Sequence, residues 1–210
     1  MSSDHKDYIM EFASNMFAEH GIKSVRMDDI AREAKVSKRT IYEYFGDKEE
    51  LLYQSCKFFL EQIDEQRIKV ASEAPNIVIA VLEASRFTTV NSEKLWRVAR
   101  GLKKLYPEIH GRLVNRMRDK RLAAFRKNLV IGVEEGFIST NINLDLAISM
   151  MHYLATGIIE SEDEFLLPEG MSREDAFFQA QVNFMRGIST PKGSELIDDY
   201  LKEYKTSISQ

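Results

Sequence analysis

Apolar residues recur three and four positions apart along almost the whole of this chain, and no stretch keeps the alternation of a half-buried strand. Only four prolines and ten glycines among 210 residues interrupt that spacing. The pattern predicts an all-α protein. Ile9, Phe12, Ala13, Met16 and Phe17 form one stripe of a first helix, which Gly21 ends. Short helices follow around Asp28 to Ala34 and Lys38 to Phe45. A long helix starts after Asp47, which makes a capping pair with Glu50, and Leu52, Cys56, Phe59 and Ile63 mark its buried face. Pro75 is expected to open the next helix, Ser92 one reaching Tyr106, and Pro107 a long one to Glu135 that Gly136 stops. Asn143 caps a helix to about Glu164, and Ser172 caps another with Asp175 at its third position. Pro191 and Gly193 set off a last, more polar helix ending near Lys205. About ten helices fall into two groups. An N-terminal three-helix domain, 1–47, is joined by the long helix that begins at Lys48 to a larger C-terminal helical bundle, 48–210.

A hydrophobic share of 44% beside 30% charged residues belongs to a globular chain rather than a disordered one. No apolar run reaches membrane-spanning length, and Met1 to Lys6 lacks the basic-then-apolar order of a signal peptide. The lone Cys56 cannot make an internal disulfide, so a cytoplasmic location with no membrane partner is expected. The histidines His5, His20, His110 and His152 show no metal-ligand spacing, and Cys56 has no local basic partner. No metal, cofactor or catalytic residue is therefore expected, which speaks against an enzyme.

The net charge of −4 argues against nucleic-acid binding only as an average, because DNA meets a patch. The stretch from Lys35 to Tyr42 holds Lys35, Lys38 and Arg39 with no acid. It lies inside MDDIAREAKVSKRTIYEYFGDK, residues 27–48. Ile30, Ala31 and Ala34 line one side of a two-turn helix, Val36 sits in a tight connection, and Ile41 and Phe45 line the inner face of the next helix. Two helices this short must cross closely to bury enough surface, and Ala31 is small enough to let them. That is a helix-turn-helix, whose second helix enters the major groove of double-stranded DNA. The outward residues suit that task. Ser37 caps the helix and can donate to a phosphate, and the free N–H groups beside it attract anions. Lys38 adds charge, Arg39 can read guanine with two prongs, and Thr40 can touch a thymine methyl or a phosphate. Tyr42 and Tyr44 offer hydroxyls to phosphates, and Lys48 is placed to hold the backbone beyond the groove. Arg26 and Met27, at the start of the first of the two helices, complete the DNA-binding set.

The segment GIKSVRMDDIAREAKVSKRTIYEYFGDKEELL, residues 21–52, closely resembles the signature of tetracycline-repressor (TetR) family regulators. The resemblance rests on IA at Ile30 and Ala31, VS at Val36 and Ser37, TIYEYF, and the K-E-x-L opening of the next helix. It implies a dimeric repressor with a small-molecule pocket in its C-terminal bundle. Three departures stand out. Lys35 occupies a turn position where many members carry glycine, and a left-handed non-glycine there costs about 1–2 kcal/mol. Arg26 stands where many carry Thr or Ser, so it cannot cap with an oxygen. Glu43 puts an acid on the reading helix, where it can pair with Arg39 or accept from a cytosine amino group; the intrahelical pair is the favoured reading.

The segment from Leu144 to Ile159 is apolar nearly all round, as for a helix buried on two sides. One of those sides is expected to meet a partner subunit. Met150, Leu154 and Ile158, with Phe177, Phe184, Met185 and Ile188 of the following helix, are expected in a four-helix homodimer interface. Phe59, Phe87, Trp96, Tyr106, Phe125, Met151, His152 and Tyr153 are the candidates for an effector pocket, aromatic lining with a few polar tips. Residues 97–127 hold eleven Lys or Arg against two acids. Their plainer reading is solvated faces opposite acids such as Glu160, Glu162, Asp163 and Glu164. A sharper one sends Arg97, Arg100 or Arg116 into the pocket toward an anionic effector. The expected function is a repressor released from a palindromic operator by a small-molecule effector. The alternative is an architectural DNA-binding protein on the same scaffold with no effector, and a void-free bundle would favour it.

Overall fold

Helix follows helix in the computed structural model, which describes the backbone of residues 2–160 and 167–208 and the side chains of residues 5–158 and 167–203. The order is α1 (Ser2–His20), α2 (Met27–Glu33), α3 (Lys38–Phe45), α4 (Lys48–Ser72), α5 (Ile77–Val90), α6 (Ser92–Leu105), α7 (Pro107–Glu134), α8 (Leu144–Glu160), α9 (Arg173–Ile188) and α10 (Pro191–Ile208). Among the described residues the only extended pairing is an isolated antiparallel bridge between Ile138 and Ser189. The fold is all-α, as the spacing predicts.

Most helix ends follow from the residues that flank them. Gly21 and Gly136 take φ of 80° and 75°, left-handed values that close α1 and α7. Asn143 accepts from the Leu146 N–H at 3.0 Å, and Ser172 from the Asp175 N–H at 3.0 Å. At α4 only half of the expected capping pair forms. Asp47 accepts from the Glu50 N–H at 2.8 Å, but Glu50 accepts from Gln54, because the Asp47 N–H already donates to the Phe45 carbonyl.

Two proline readings need correction. Pro75 lies outside α5, whose start is fixed by Asn76, an oxygen cap that accepts from the Ile79 N–H at 3.0 Å. Pro191 and Gly193 do not separate α10 from α9 but form its first turn. Thr190 is the cap there, with its hydroxyl accepting from the Gly193 N–H and its carbonyl from the Ser194 N–H. The expected end of α8 near Glu164 lies outside the described residues, as do Glu162, Asp163 and the Glu160 side chain.

The chain divides into two compact units. One combines Met1–Gln66 with Glu93–Arg116; the other combines Arg67–Ser92 with Met117–Gln210. Part of the sequence beyond residue 47 thus packs with the N-terminal helices. In the first unit Ile9, Phe17, Ile30, Ile41, Leu51 and Leu102 are all buried in one core. There α6 meets α1 and the turn after it closely. Arg97 donates to the carbonyls of Ala18 and Glu19 at the end of α1, which has run out of helical N–H partners for them. A Cβ on Gly101 would come within 3.2 Å of Ile22 Cδ1, so glycine allows that approach.

The second unit gathers Val78, Leu82, Leu129, Ile148, Phe178 and Val182 into its own core. The link from α7 to α10 is tight in this unit. Thr190 N–H donates to the Phe137 carbonyl at 2.9 Å, and Ser139 N–H to the Ile188 carbonyl at 2.9 Å. Gly193 lies against that Phe137 oxygen, where any Cβ would collide.

Several cations of the basic run at 97–127 are paired within their units, with partners outside the acids named from the sequence. Arg97 pairs with Glu93, Arg116 with Glu61 at 3.2 Å, Arg118 with Asp119 at 3.0 Å, and Arg126 with Asp145. Arg97 is thereby engaged by carbonyls and a carboxylate, and Arg116 by a carboxylate, of their own unit. No helix among the described residues is long and apolar enough to cross a membrane.

Candidate nucleic-acid interface

The turn between α2 and α3 sets the angle at which α3 is presented. Ala34 ends α2, Lys35 takes φ of 52°, and Val36 N–H donates to the Ala31 carbonyl at 3.0 Å while Lys35 N–H donates to Arg32 at 3.2 Å. These two bonds and the left-handed residue make a Schellman closure, usually built on glycine. Lys35 therefore carries the strain that the sequence flagged. Ile30 and Ile41 are wholly buried behind it, and Ala31 and Phe45 nearly so. This inward packing holds the opposite face of α3 toward solvent.

The front of α3 is capped as expected. Ser37 accepts from the Thr40 N–H at 3.0 Å, and the Ser37 and Thr40 hydroxyls lie 2.8 Å apart. Thr40 is thus half-buried and tied to the cap, while Arg39, Tyr42 and Glu43 stand out from the helix. The Arg39 side chain is 88% exposed, and its Nε donates to Glu43 Oε1 at 2.8 Å. The intrahelical pair expected for Glu43 is formed. Lys38 makes a second pair, across to Asp28 of α2 at 3.0 Å. The Asp28 carboxylate beside it holds the Lys38 ammonium above its ordinary value. Sequence reasoning missed Asp28, since ten positions separate it from Lys38 and only the folded turn brings them together.

The other expected contacts fall in three environments. Arg26 is exposed at the start of α2 and has no side-chain oxygen to cap it. Asp29 takes the cap's reciprocal part and accepts from the Arg26 N–H at 3.1 Å and from Arg32 at 2.9 Å. That backbone bond, more than the Arg32 charge, holds the Asp29 carboxyl below its ordinary value. Met27 is buried in the core, which leaves its main-chain atoms to offer a phosphate. Tyr44 is half-buried against the core and Phe45, whereas Tyr42 is exposed. Lys48 Nζ donates to the Val25 carbonyl at 3.2 Å.

Cys56 is buried, and burial pushes its thiol up to about 12, far from a reactive thiolate. Among the described residues no group of three or more His, Cys, Asp or Glu is placed to hold a metal.

The geometry so far is a capped, outward-facing second helix on a tightly closed turn. Residues 9–54 match the family described as bacterial regulatory proteins, tetR family. The N-terminal helix-turn-helix region thus carries the DNA-binding domain of that family. Members of the tetR family are transcriptional regulators that bind DNA, and not enzymes. The chain is 28% identical over 131 residues to the HTH-type transcriptional regulator HbdR of Aromatoleum sp. (strain CIB), a match covering 58% of this chain and 57% of the relative. It thus spans little more than half the length of that curated relative. A TetR transcription regulator from Haloarcula marismortui superposes with a TM-score of 0.72 at 15% identity, covering 90% of this chain and 100% of the other. A transcriptional regulator from Saccharomonospora viridis solved with choline gives 0.70 at 18%, covering 90% and 99%. At such identities these likenesses establish the fold.

The C-terminal candidates are distributed. Phe59, Trp96 and Tyr106 belong to the first unit, and Phe87, Phe125, Met151, His152 and Tyr153 to the second. Phe59, Trp96 and Met151 are buried, Phe125 rests on Phe184, and Tyr153 is 74% exposed. Of the expected interface residues, Ile158, Phe177, Met185 and Ile188 are buried within the chain and Leu154 and Phe184 are half-buried. Met150 stands out, and with Leu146 and Tyr153 it forms a bare apolar row along α8. Met150 is in the expected interface set, whereas Leu146, one turn away, was expected only as part of the same apolar helix.

Proposed function

We propose that the chain is a homodimeric repressor of transcription that reads a palindromic operator with α3 and releases it when a small-molecule effector binds. The observation that carries the reading is the outward row Arg39, Tyr42 and Glu43 on a helix whose other face is locked in the core. A helix so presented enters a major groove and offers side chains to base edges. Ser37, Thr40 and the main chain at Arg26 and Met27 sit beside it for phosphates, with Lys48 further back.

The bare row Leu146, Met150 and Tyr153 supports the dimer. The opposite side of α8 is already used by Ala147, Ile148 and Met151, so a second copy of α8 is the natural cover for the first. Two such subunits would set their reading helices about 34–36 Å apart, one turn of duplex, which calls for an inverted repeat. Effector release is supported by the likeness of residues 9–54 to the tetR family and by the choline held by one structural relative. In this account the effector acts through α4, which runs from the reading domain into the remainder of the chain.

Selection of the full chain against a random duplex library tests the reading. Enrichment of an inverted repeat with half-sites about one helical turn apart is the expected result. Recovery of sequences no better bound than the starting library, at moderate salt, would refute it.

A further inference from the structure

Two cations open the reading helix, and an acid of the same domain holds each of them. Arg39 is bound by Glu43 one turn on, and Lys38 by Asp28 on the neighbouring helix. All four side chains are substantially exposed, so the pairs lie where a duplex would approach rather than in the core. A phosphate backbone attracts any free cation near it, and that attraction supplies most non-specific binding. Here a phosphate must compete with a carboxylate already in place.

A base edge faces a different competition. Glu43 takes the Nε of Arg39, whose side chain as a whole stays 88% exposed, so a guanine can approach the remaining guanidinium N–H groups without displacing the carboxylate. Because Arg39 is held at one end, its long side chain is less free to swing to the nearest phosphate. Both pairs therefore act against sequence-independent binding more than against reading.

Resting on the DNA-binding reading above, we infer that Glu43 and Asp28 are specificity-determining residues that mask Arg39 and Lys38 from the phosphate backbone and so lower affinity for non-operator DNA. Neither acid needs to touch a base. Both act through the cation each holds, as positioning residues.

The test is a pair of double-mutant cycles on the full-length protein. Binding is read by fluorescence anisotropy on a scrambled duplex and on a duplex selected from the random library, across a salt series. Glu43→Ala and Asp28→Ala should each tighten scrambled-duplex binding roughly two- to fivefold at low salt, the scale of an exposed ion pair. The salt slope should steepen by up to about one for each cation released. Preference for the selected duplex should fall in both. In an Arg39→Ala background Glu43→Ala should change scrambled binding little, and likewise Asp28→Ala in a Lys38→Ala background. Glu43→Gln and Asp28→Asn repeat the comparison at nearly constant shape, and far-ultraviolet circular dichroism confirms that the helices persist. Equal tightening with and without the partner cation would mean general repulsion and would overturn the inference, as would unchanged scrambled binding. If the unaltered protein binds no duplex at all, the DNA-binding reading fails first and this inference with it.

Discussion

Lys48 Nζ donates to the Val25 carbonyl at 3.2 Å, and so ties the first turn of α4 to the residue before the cap of α2. The bond is half-buried and spans 23 positions, which makes Lys48 a brace of the reading domain as well as a candidate phosphate contact. Lys48→Met keeps the apolar stem and deletes the donor. It should cost about 1 kcal/mol of stability, seen as a lower urea midpoint. Its loss of DNA affinity should be nearly equal for selected and scrambled duplexes, since a phosphate contact carries no sequence.

Lys35 holds a left-handed conformation that glycine adopts without strain. Lys35→Gly removes that strain but makes the unfolded chain more flexible, so a net gain of about 0.5–1 kcal/mol is expected. For a chain of this size each kcal/mol moves Tm by about 2–4 °C. Calorimetry should show the rise, and Lys35→Val, with a branched side chain in the same conformation, should show a fall.

Gly193 has no room for a side chain beside the Phe137 carbonyl, and that oxygen also receives the Thr190 N–H. Main chain cannot yield as a flexible side chain can. Gly193→Ala should therefore destabilise the protein by about 2–3 kcal/mol in chemical denaturation. Gly111→Ala, in open space within α7, should instead be neutral or slightly stabilising.

Asp29 carries a pH dependence of definite sign. The Arg26 N–H and Arg32 lower its carboxyl below the ordinary value of 3.8 in the folded chain. A group so depressed stabilises the fold above its unfolded pKa, and that contribution is lost as pH falls through the folded one. Comparison of wild type with Asp29→Asn should show a stability gap at neutral pH that closes below about pH 4. A gap that widened on acidification would contradict the assignment.

Local chemistry made much of this fold readable. Ser37, Asn143 and Ser172 each cap within three residues of themselves, and Gly21 and Gly136 close helices by their own backbone freedom, so near neighbours were enough to place them. Arg39 and Glu43 were legible for the same reason, four residues apart on one helix. Asp28 was not, because its meeting with Lys38 depends on the angle set at Lys35. The burial of Met27 was not legible, because an apolar residue at a helix start looks the same whether it faces the core or the solvent. In the basic run at 97–127 the acids that meet Arg116 and Arg126, Glu61 and Asp145, are distant in sequence, and charge counting has no reach. On α8 the apolar residues marked two faces, but only the folded chain shows that Leu146, Met150 and Tyr153 are the ones left bare.

The central claim is that Arg39 on α3 reads DNA sequence. Its most direct test is anisotropy of wild type and Arg39→Ala on the selected and scrambled duplexes at one moderate salt concentration. Wild type is expected to prefer the selected duplex by roughly a thousandfold or more. Arg39→Ala should lose about ten- to a hundredfold on that duplex while its circular dichroism stays unchanged. Equal affinity of wild type for the two duplexes, or an Arg39→Ala protein that discriminates as well as wild type, would contradict it.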